Sequence, residues 1–427
     1  MPLRSRLLLR ALLLPCLLGL AATGVRAQGF GDFESAGRSE DLRRAPSPLS
    51  VGGHSLTPSI TYKLFGVATP HVFGAAGFGY TSNLLRVDEE SPGPVREDEF
   101  ARGEVGARLD TELGEHRIEL DARAKVTEYV ESGAFDTAEG RVAGRLDLLF
   151  NDVDVHGDLS WTRFAYPQSV QLTGIVRLDS YLANVWGEAR LARFGLRVGG
   201  SLGRSDYLSR ALEDLDATTL GANFQVYGRV TPKLRALIEY GWSRITYDEG
   251  RRGTLDGYDL HQVSAGVDGE LTEKLTASLK LGGSFQDVRS RVNPDRRKFR
   301  GFTSACSLRW QPLPHTTLSV SWSRAVTPSV NSNYLLTDSF NVDVGQKVWE
   351  ERISLSASAG YSHSTVSPGR HLNVFRAGAA AAWQIRDWLS VRAAYEFQRL
   401  NSAFTLAEAA VSDYTVHEVS ISVGVGF

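Results

Sequence analysis

Apolar and charged residues alternate one for one between positions 100 and 131. Ala101, Gly103, Val105, Ala107, Leu109, Thr111 and Leu113 are interleaved with Arg102, Glu104, Arg108, Asp110 and Glu112. After Gly114-Glu115 the alternation resumes, with Ile118, Leu120, Ala122, Ala124, Val126 and Val130 set against Arg117, Glu119, Asp121, Arg123, Lys125 and Glu131. A period of two places the two sets on opposite faces of a β-hairpin. One face is small or aliphatic, Glu128 excepted, and the other is too densely charged to be the buried side of a soluble sandwich. A soluble antiparallel sheet with one wet face gives the same alternation, so the rest of the chain decides what the hairpin belongs to.

The pattern recurs to the last residue. It predicts eighteen strands: 71–80, the two of the hairpin, 138–150, 154–161, 180–191, 194–202, 219–230, 234–242, 259–271, 275–285, 301–310, 317–323, 340–346, 352–361, 376–384, 388–398 and 416–427. Tight turns at 114–115, 151–152, 192–193, 231–233, 272–274, 311–315, 349–350 and 386–387 alternate with longer polar loops such as 204–216 and 324–338. Neighbouring tight turns lie about 40 residues apart, and Val-Thr-Pro-Lys-Leu at 230–234 returns as Leu-Thr-Glu-Lys-Leu at 271–275, so the unit that repeats is a hairpin. Short turns on one side and long loops on the other fit an outer-membrane barrel with periplasmic turns.

Aromatic residues collect at the strand ends. Phe150, Phe194, Trp310, Trp383, Trp388 and Phe427 lie toward the tight turns, and Trp161, Tyr240, Trp242, Trp322, Tyr361, Tyr395 and Phe397 toward the loops. Two such bands are the interfacial girdles of a membrane protein. The expected fold is all-β: a transmembrane antiparallel β-barrel of about eighteen strands over 69–427, in the outer membrane of a Gram-negative bacterium and surrounded by its lipid.

The ends and the composition add bounds. Residues 1–27 combine Arg4, Arg6 and Arg10, an apolar run over 11–22, and Val25-Arg26-Ala27, the layout of a secretory signal peptide cut after Ala27. Residues 28–68, rich in Gly, Ser, Pro and Arg with little periodicity, are expected to be a flexible periplasmic lead-in. With the signal gone, Cys306 is the one cysteine, so no intrachain disulfide can form, and loss of four arginines takes the formal charge from −2 to −6. That mildly acidic balance gives no support for nucleic-acid binding, which needs a basic face.

In the final strand Val419, Ile421, Val423, Val425 and Phe427 alternate with Ser420, Ser422, Gly424 and Gly426. It resembles the C-terminal signal that outer-membrane assembly machinery recognises, with Val423, Val425 and Phe427 as the apolar edge. At the other end, Tyr80-Thr81-Ser82-Asn83 within 78–86 resembles the Tyr-x-x-Asn opening of the putative β-barrel porin-2 family, whose members commonly carry Asp beside the Asn. Members of that family often accompany exopolysaccharide synthesis. The strand count also resembles polysaccharide-secretion porins that work beside a periplasmic polysaccharide-export protein lacking its own outer-membrane pore. The resemblance implies a passive channel for a polysaccharide with such a partner. The alternative is a general or small-solute diffusion porin.

Backbone pairing in a closed barrel satisfies the amides, so function falls to lumen side chains and loops. The expected pore-lining residues are Arg102, Glu104, Arg108, Asp110, Arg117, Glu119, Asp121, Arg123, Lys125, Arg141, Arg145 and Asp147 on the early strands, and Arg309, Arg352, Arg376 and Arg392 on the late ones. The early set reads either as an ion-pair ladder that stiffens a hydrated wall or as a charged eyelet for a polar solute. The late strands surround their arginines with Ser, Thr, Gly and Ala, with only Glu396 opposing: a smooth, weakly cationic wall that suits a sliding polymer or eases strand curvature. Tyr129, Trp186 and Tyr227 point inward in this register, where aromatic faces stack on sugar rings, and a slip of one residue would put them in lipid. His156, between Asp154 and Asp158, is at best a weak metal ligand. No nucleophile–base set, phosphate loop or Cys/His cluster stands out, so neither enzyme activity nor a cofactor or metal is expected.

Overall fold

The structure, a computed structural model, describes residues 50–51, 54–55, 68–84, 97–166, 176–209, 212–248, 257–289, 298–327, 334–366, 370–402 and 413–426. The segment read as a signal peptide, most of the lead-in, and Phe427 lie outside the described residues. The strands are β1 (Ala68–Thr81), β2 (Asp98–Leu113), β3 (His116–Tyr129), β4 (Thr137–Leu149), β5 (Val153–Tyr166) and β6 (Val176–Leu191). They continue with β7 (Phe194–Tyr207), β8 (Ala217–Arg229), β9 (Leu234–Tyr247), β10 (Gly257–Thr272), β11 (Leu275–Arg289) and β12 (Phe299–Leu313). The last six are β13 (Thr316–Thr327), β14 (Leu335–Val348), β15 (Ile353–Val366), β16 (Arg370–Arg386), β17 (Leu389–Ser402) and β18 (Tyr414–Gly426).

Each strand pairs antiparallel with the next, and β18 returns to β1 through Val423↔Ala76 and Val425↔Gly74, which closes an eighteen-stranded barrel. Closure leaves no unpaired edge, the condition for a sheet to stand in lipid. The tight turns all fall on the side where β1 begins and β18 ends. One is strained: Trp349, Glu350 and Glu351 adopt φ of 51°, 54° and 66°, and Glu351 is held by an ion pair from Lys347 at 2.7 Å and a contact with His315 Nδ1 at 3.4 Å.

The period of two sorts side chains between a convex and a concave face. Val105, Leu120, Ile238 and Ile421 are 50–63% exposed, an apolar face turned to lipid. The alternate positions carry the charge and are more shielded, since side chains on the inner face of a closed sheet converge. Thus the hairpin at 100–131 has the faces that its alternation predicts.

The strands run past their expected loop-side ends. β5 reaches Tyr166, β7 reaches Tyr207, β13 reaches Thr327 and β14 begins at Leu335. Arg204 and Arg324, expected in loops, therefore sit on strands. Near this rim the polarity of the two faces inverts. On β9 the outward positions become Arg244 and Thr246 while Ile245 and Tyr247 turn inward into a buried cluster with Tyr258 and Ala217. On β16 and its neighbours Leu372, Val374, Leu400, Tyr414 and Val416 form a second inward cluster. Above the bilayer the ordinary rule of apolar inside and polar outside returns, while backbone pairing continues without a break.

Candidate functional site

The inner wall divides into two arcs. From β2 to β11 it is dense in charge. Arg108 contacts Asp110 at 2.9 Å and Glu119 at 3.1 Å, and Arg117 reaches the same Asp110 at 3.2 Å. Arg123 holds the buried Asp121 at 2.9 Å, Lys125 meets Glu139 at 2.5 Å, and Arg145 meets Asp147 at 2.9 Å. Arg141 stands opposite Arg123 on β3 and Thr162 on β5, and Glu104 stands opposite Lys125. Pairs of this exposure contribute about 0–1 kcal/mol each, so the ladder shapes the wall more than it stabilises it. The network also crosses the closure: Arg102 Nη2 lies 3.2 Å from Glu418 Oε1, on strands that flank β1. A Cβ on Gly79 of β1 would lie 2.3 Å from the Phe100 ring, over which the Arg102 guanidinium stacks at 4.8 Å, so this seam requires glycine there.

A second row continues around the wall from β4 to β10. His156 Nδ1 lies 2.5 Å from Asp147 Oδ1, and its ring stacks on Trp186 with centroids 3.8 Å apart. The other neighbour of Trp186 is the Arg197 guanidinium, 4.4 Å from the ring centroid, which donates to Glu188 Oε2 at 2.5 Å. Tyr227 donates to Glu188 Oε1 at 2.6 Å and carries Arg235 at 5.0 Å, itself paired with Asp268. Asp154 is paired with Arg190.

Trp186 and Tyr227 do point inward, as the alternation predicts, but both are engaged by cations and imidazole and are not bare platforms for a sugar ring. Tyr129 packs edge-on against Phe100. His156 is spoken for by Asp147 and Trp186, and the described residues hold no group of three or more His, Cys, Asp or Glu able to bind a metal. Glu188, which the sequence reading passed over, is the buried hinge of this row. Glu188→Ala should remove a carboxylate shared by Arg197 and Tyr227 and cost on the order of 3 kcal/mol. The readout is a lower temperature for conversion of the folded to the unfolded gel band, with Glu188→Gln losing less.

From β13 to β16 the wall is smooth. Ser319, Ser321, Ser323, Ser356, Ser358, Gly378 and Ala380 face inward, on the opposite side from the exposed Trp322, Tyr361 and Phe375. Arg309 lies beside Thr276 and Ser319, Arg376 between Gly360 and Gln398, and Arg392 between Ala382 and Ser422. Arg352 lies at the edge of the β14–β15 turn, one residue before β15: its amide donates to the Trp349 carbonyl and its carbonyl accepts from the Gln384 amide of β16. One correction applies to the late strands. Asp343 on β14 and Glu418 on β18 face inward with Glu396 on β17, so this side of the lumen is less cationic than expected. Asp343 escaped notice because a lone acid among Val, Asn and Gly forms no pattern of its own.

On the loop side, η turns at Gly133–Phe135 and Glu213–Leu215 each end in an aspartate that ties back to a strand. The Tyr129 amide donates to Asp136 at 2.8 Å and the Tyr207 amide to Asp216 at 2.6 Å. Burial pushes the Asp216 carboxyl above the usual carboxylate range, against the pull of the Tyr207 amide.

A family model described as putative beta-barrel porin 2 matches residues 71–427. The chain belongs to this family. It is an outer-membrane β-barrel porin, a member of a family of channels. No curated protein matches it. Similar solved structures include OccK3 (OpdO) of Pseudomonas aeruginosa, at 12% identity over 84% of this chain and 95% of that one, with a TM-score of 0.45. OccAB3 of Acinetobacter baumannii is similar at 8% identity over 84% and 99%, TM-score 0.45. The alcaligin outer-membrane receptor FauA of Bordetella pertussis is similar at 14% identity over 83% and 76%, TM-score 0.37.

Proposed function

We propose that this porin is a passive conduit for secretion of a polysaccharide, working with a periplasmic polysaccharide-export partner. The observation that carries the reading is the smooth arc. Across β13, β15 and β16 the inward side chains at mid-height are Ser, Gly and Ala, which offer hydroxyls without reaching into the lumen. A chain of sugars needs a track of weak, replaceable hydrogen bonds, because any strong site would hold it. Barrels of this strand number are wide enough for a water-filled channel. The outer membrane offers no energy source to the pore, so synthesis and the partner would supply the push. The opposite arc, with Arg102, Glu104, Arg108, Asp110, Arg117, Glu119, Asp121, Arg123, Lys125, Arg141, Arg145 and Asp147, would keep the lumen hydrated. The last strand, through Val423, Val425 and Phe427, would be the part read by the assembly machinery.

That charged arc also favours a second reading, a diffusion porin for small polar solutes, in which the ladder orders a passing ion or sugar. A deletion strain separates the two. With the conduit lost, one surface polysaccharide should still be made but remain inside the outer membrane, with small-sugar uptake normal. Normal export of every surface polysaccharide together with slower uptake of a small solute would replace the conduit by the diffusion porin.

A further inference from the structure

The outward face at the loop-side rim carries a recurrent pair. Trp161 and Arg163 on β5, Trp242 and Arg244 on β9, and Trp322 and Arg324 on β13 each stand two residues apart on an ascending strand. β15 and β17 repeat it with Tyr361 and His363, and with Phe397 and Arg399. The descending neighbours answer in register. Asp179 and Tyr181 face Arg163 and Trp161, Asp259 and His261 face Arg244 and Trp242, and Asp338 and Phe340 face Arg324 and Trp322. β7 contributes Arg204, paired with Asp206 and Asp248 at 2.6 Å each, so Arg163, Arg204 and Arg244 follow one another at 41 and 40 residues, the length of a hairpin.

Two of the pairs have a front and a back. Arg163 donates through Nε and Nη2 to Asp179 at 2.7 and 2.6 Å and lies 5.7 Å over the Trp161 ring. Arg244 donates through Nε to Asp259 at 2.7 Å and lies 5.5 Å over Trp242. In both pairs the guanidinium side chain is the exposed partner, at 45% and 42%, and the carboxylate the buried one, at 8% and 12%. A guanidinium has five donors on a rigid fork, so an edge committed to a carboxylate leaves further donors free, here on side chains that are the exposed members of their pairs.

The position matters as much as the geometry. These cations stand directly above the aromatic girdle and beyond the apolar belt, on the convex face, at the height of lipid headgroups. An arginine fork held by a carboxylate and stacked on an aromatic ring is suited to bidentate binding of phosphate.

We propose that this rim is a binding ring for the phosphate groups of phosphorylated lipid headgroups in the outer leaflet, with Arg163 and Arg244 as its main anchors and Arg324, whose Nη1 lies 3.4 Å from Asp338, as a third cation. The ring would set the height of the barrel in the membrane and is independent of what passes through the lumen.

Full-length protein folded in neutral detergent can be titrated with mixed micelles carrying bisphosphorylated lipid A, with the same lipid stripped of both phosphates, and with inorganic phosphate, following the fluorescence of the tryptophans beneath the ring. The phosphorylated lipid should bind at least tenfold more tightly than the stripped one. The combined variant Arg163→Gln, Arg244→Gln, Arg324→Gln should lose that preference while retaining heat-modifiable gel migration, and the corresponding Lys variant should recover part of it. Equal affinity of the wild-type protein for the two lipids would overturn the proposal, whether or not the Gln variant folds. Binding of inorganic phosphate as tight as that of the phosphorylated lipid would overturn it too, since the ring would then be a site for a free anion.

Discussion

Leu120→Arg should abolish assembly of the barrel, whereas Arg123→Leu, three residues further along the same strand, should assemble. Leu120 is half exposed on the convex face and lies four residues from the start of β3, near the middle of the apolar belt. An arginine turned to lipid near the bilayer midplane costs about 2–4 kcal/mol, a large part of what a folded membrane domain has to spare. Arg123 faces the lumen. Its loss leaves the buried carboxylate of Asp121 without its 2.9 Å partner and bares the Phe73 ring, over which the guanidinium stands at 5.4 Å. Leaving a buried acceptor short of a partner costs about 1–3 kcal/mol, partly relieved by lumen water. Heat-modifiable gel migration of membrane fractions reads both variants, and equal tolerance of the two would invert the assignment of faces.

The part of the fold that alternation made legible is the part in contact with lipid. Wherever the outward residue had to be apolar, as at Val105, Leu120, Ile421 and Val423, the period of two was plain, and strand number, antiparallel order and inner face followed from it. The rim was illegible for a physical reason. Between Trp242 and Tyr247 the apolar positions shift from even to odd numbers, and a phase reversal looks like the end of a strand. The hydrogen-bonded ladder does not end there, because backbone pairing is indifferent to which side chain faces water. The Trp-x-Arg recurrence at 161, 242 and 322 was visible in the sequence, but its second half fell in what looked like loops. Within the site, alternation found the inward aromatics but carried no information about what covers their faces. His156 and Arg197 reach Trp186 from neighbouring strands, and only the register brings them together.

Filling the smooth arc should stop export. Ser356 and Ala380 are register partners on β15 and β16 and face the lumen at mid-height. Ser356→Trp combined with Ala380→Trp replaces a hydroxymethyl and a methyl by two indoles, each able to stack on a sugar ring and hold it. A polymer that must slide would meet both an obstruction and a sticky site, and surface polysaccharide should fall at least tenfold, close to the level of a deletion strain. Ion conductance of the purified variant should fall less, since water and salt pass around the indoles. The control is built into the same strands: Ala357 and Ala379 are partners on the convex face. Ala357→Trp with Ala379→Trp should leave export unchanged, because those indoles point into lipid and leave the lumen as it was. Undiminished export through the inward double variant would remove the smooth arc from the path of the polymer.

The most direct measurement of a passive polysaccharide conduit needs neither the partner nor the cell. Purified full-length protein is inserted into liposomes loaded with the secreted polysaccharide of the same strain and with a small labelled sugar, and the escape of each is followed. A conduit releases the polysaccharide at a rate proportional to the amount of protein, with no energy source present. Release of the small sugar while the polysaccharide stays inside would contradict the account and leave a diffusion porin.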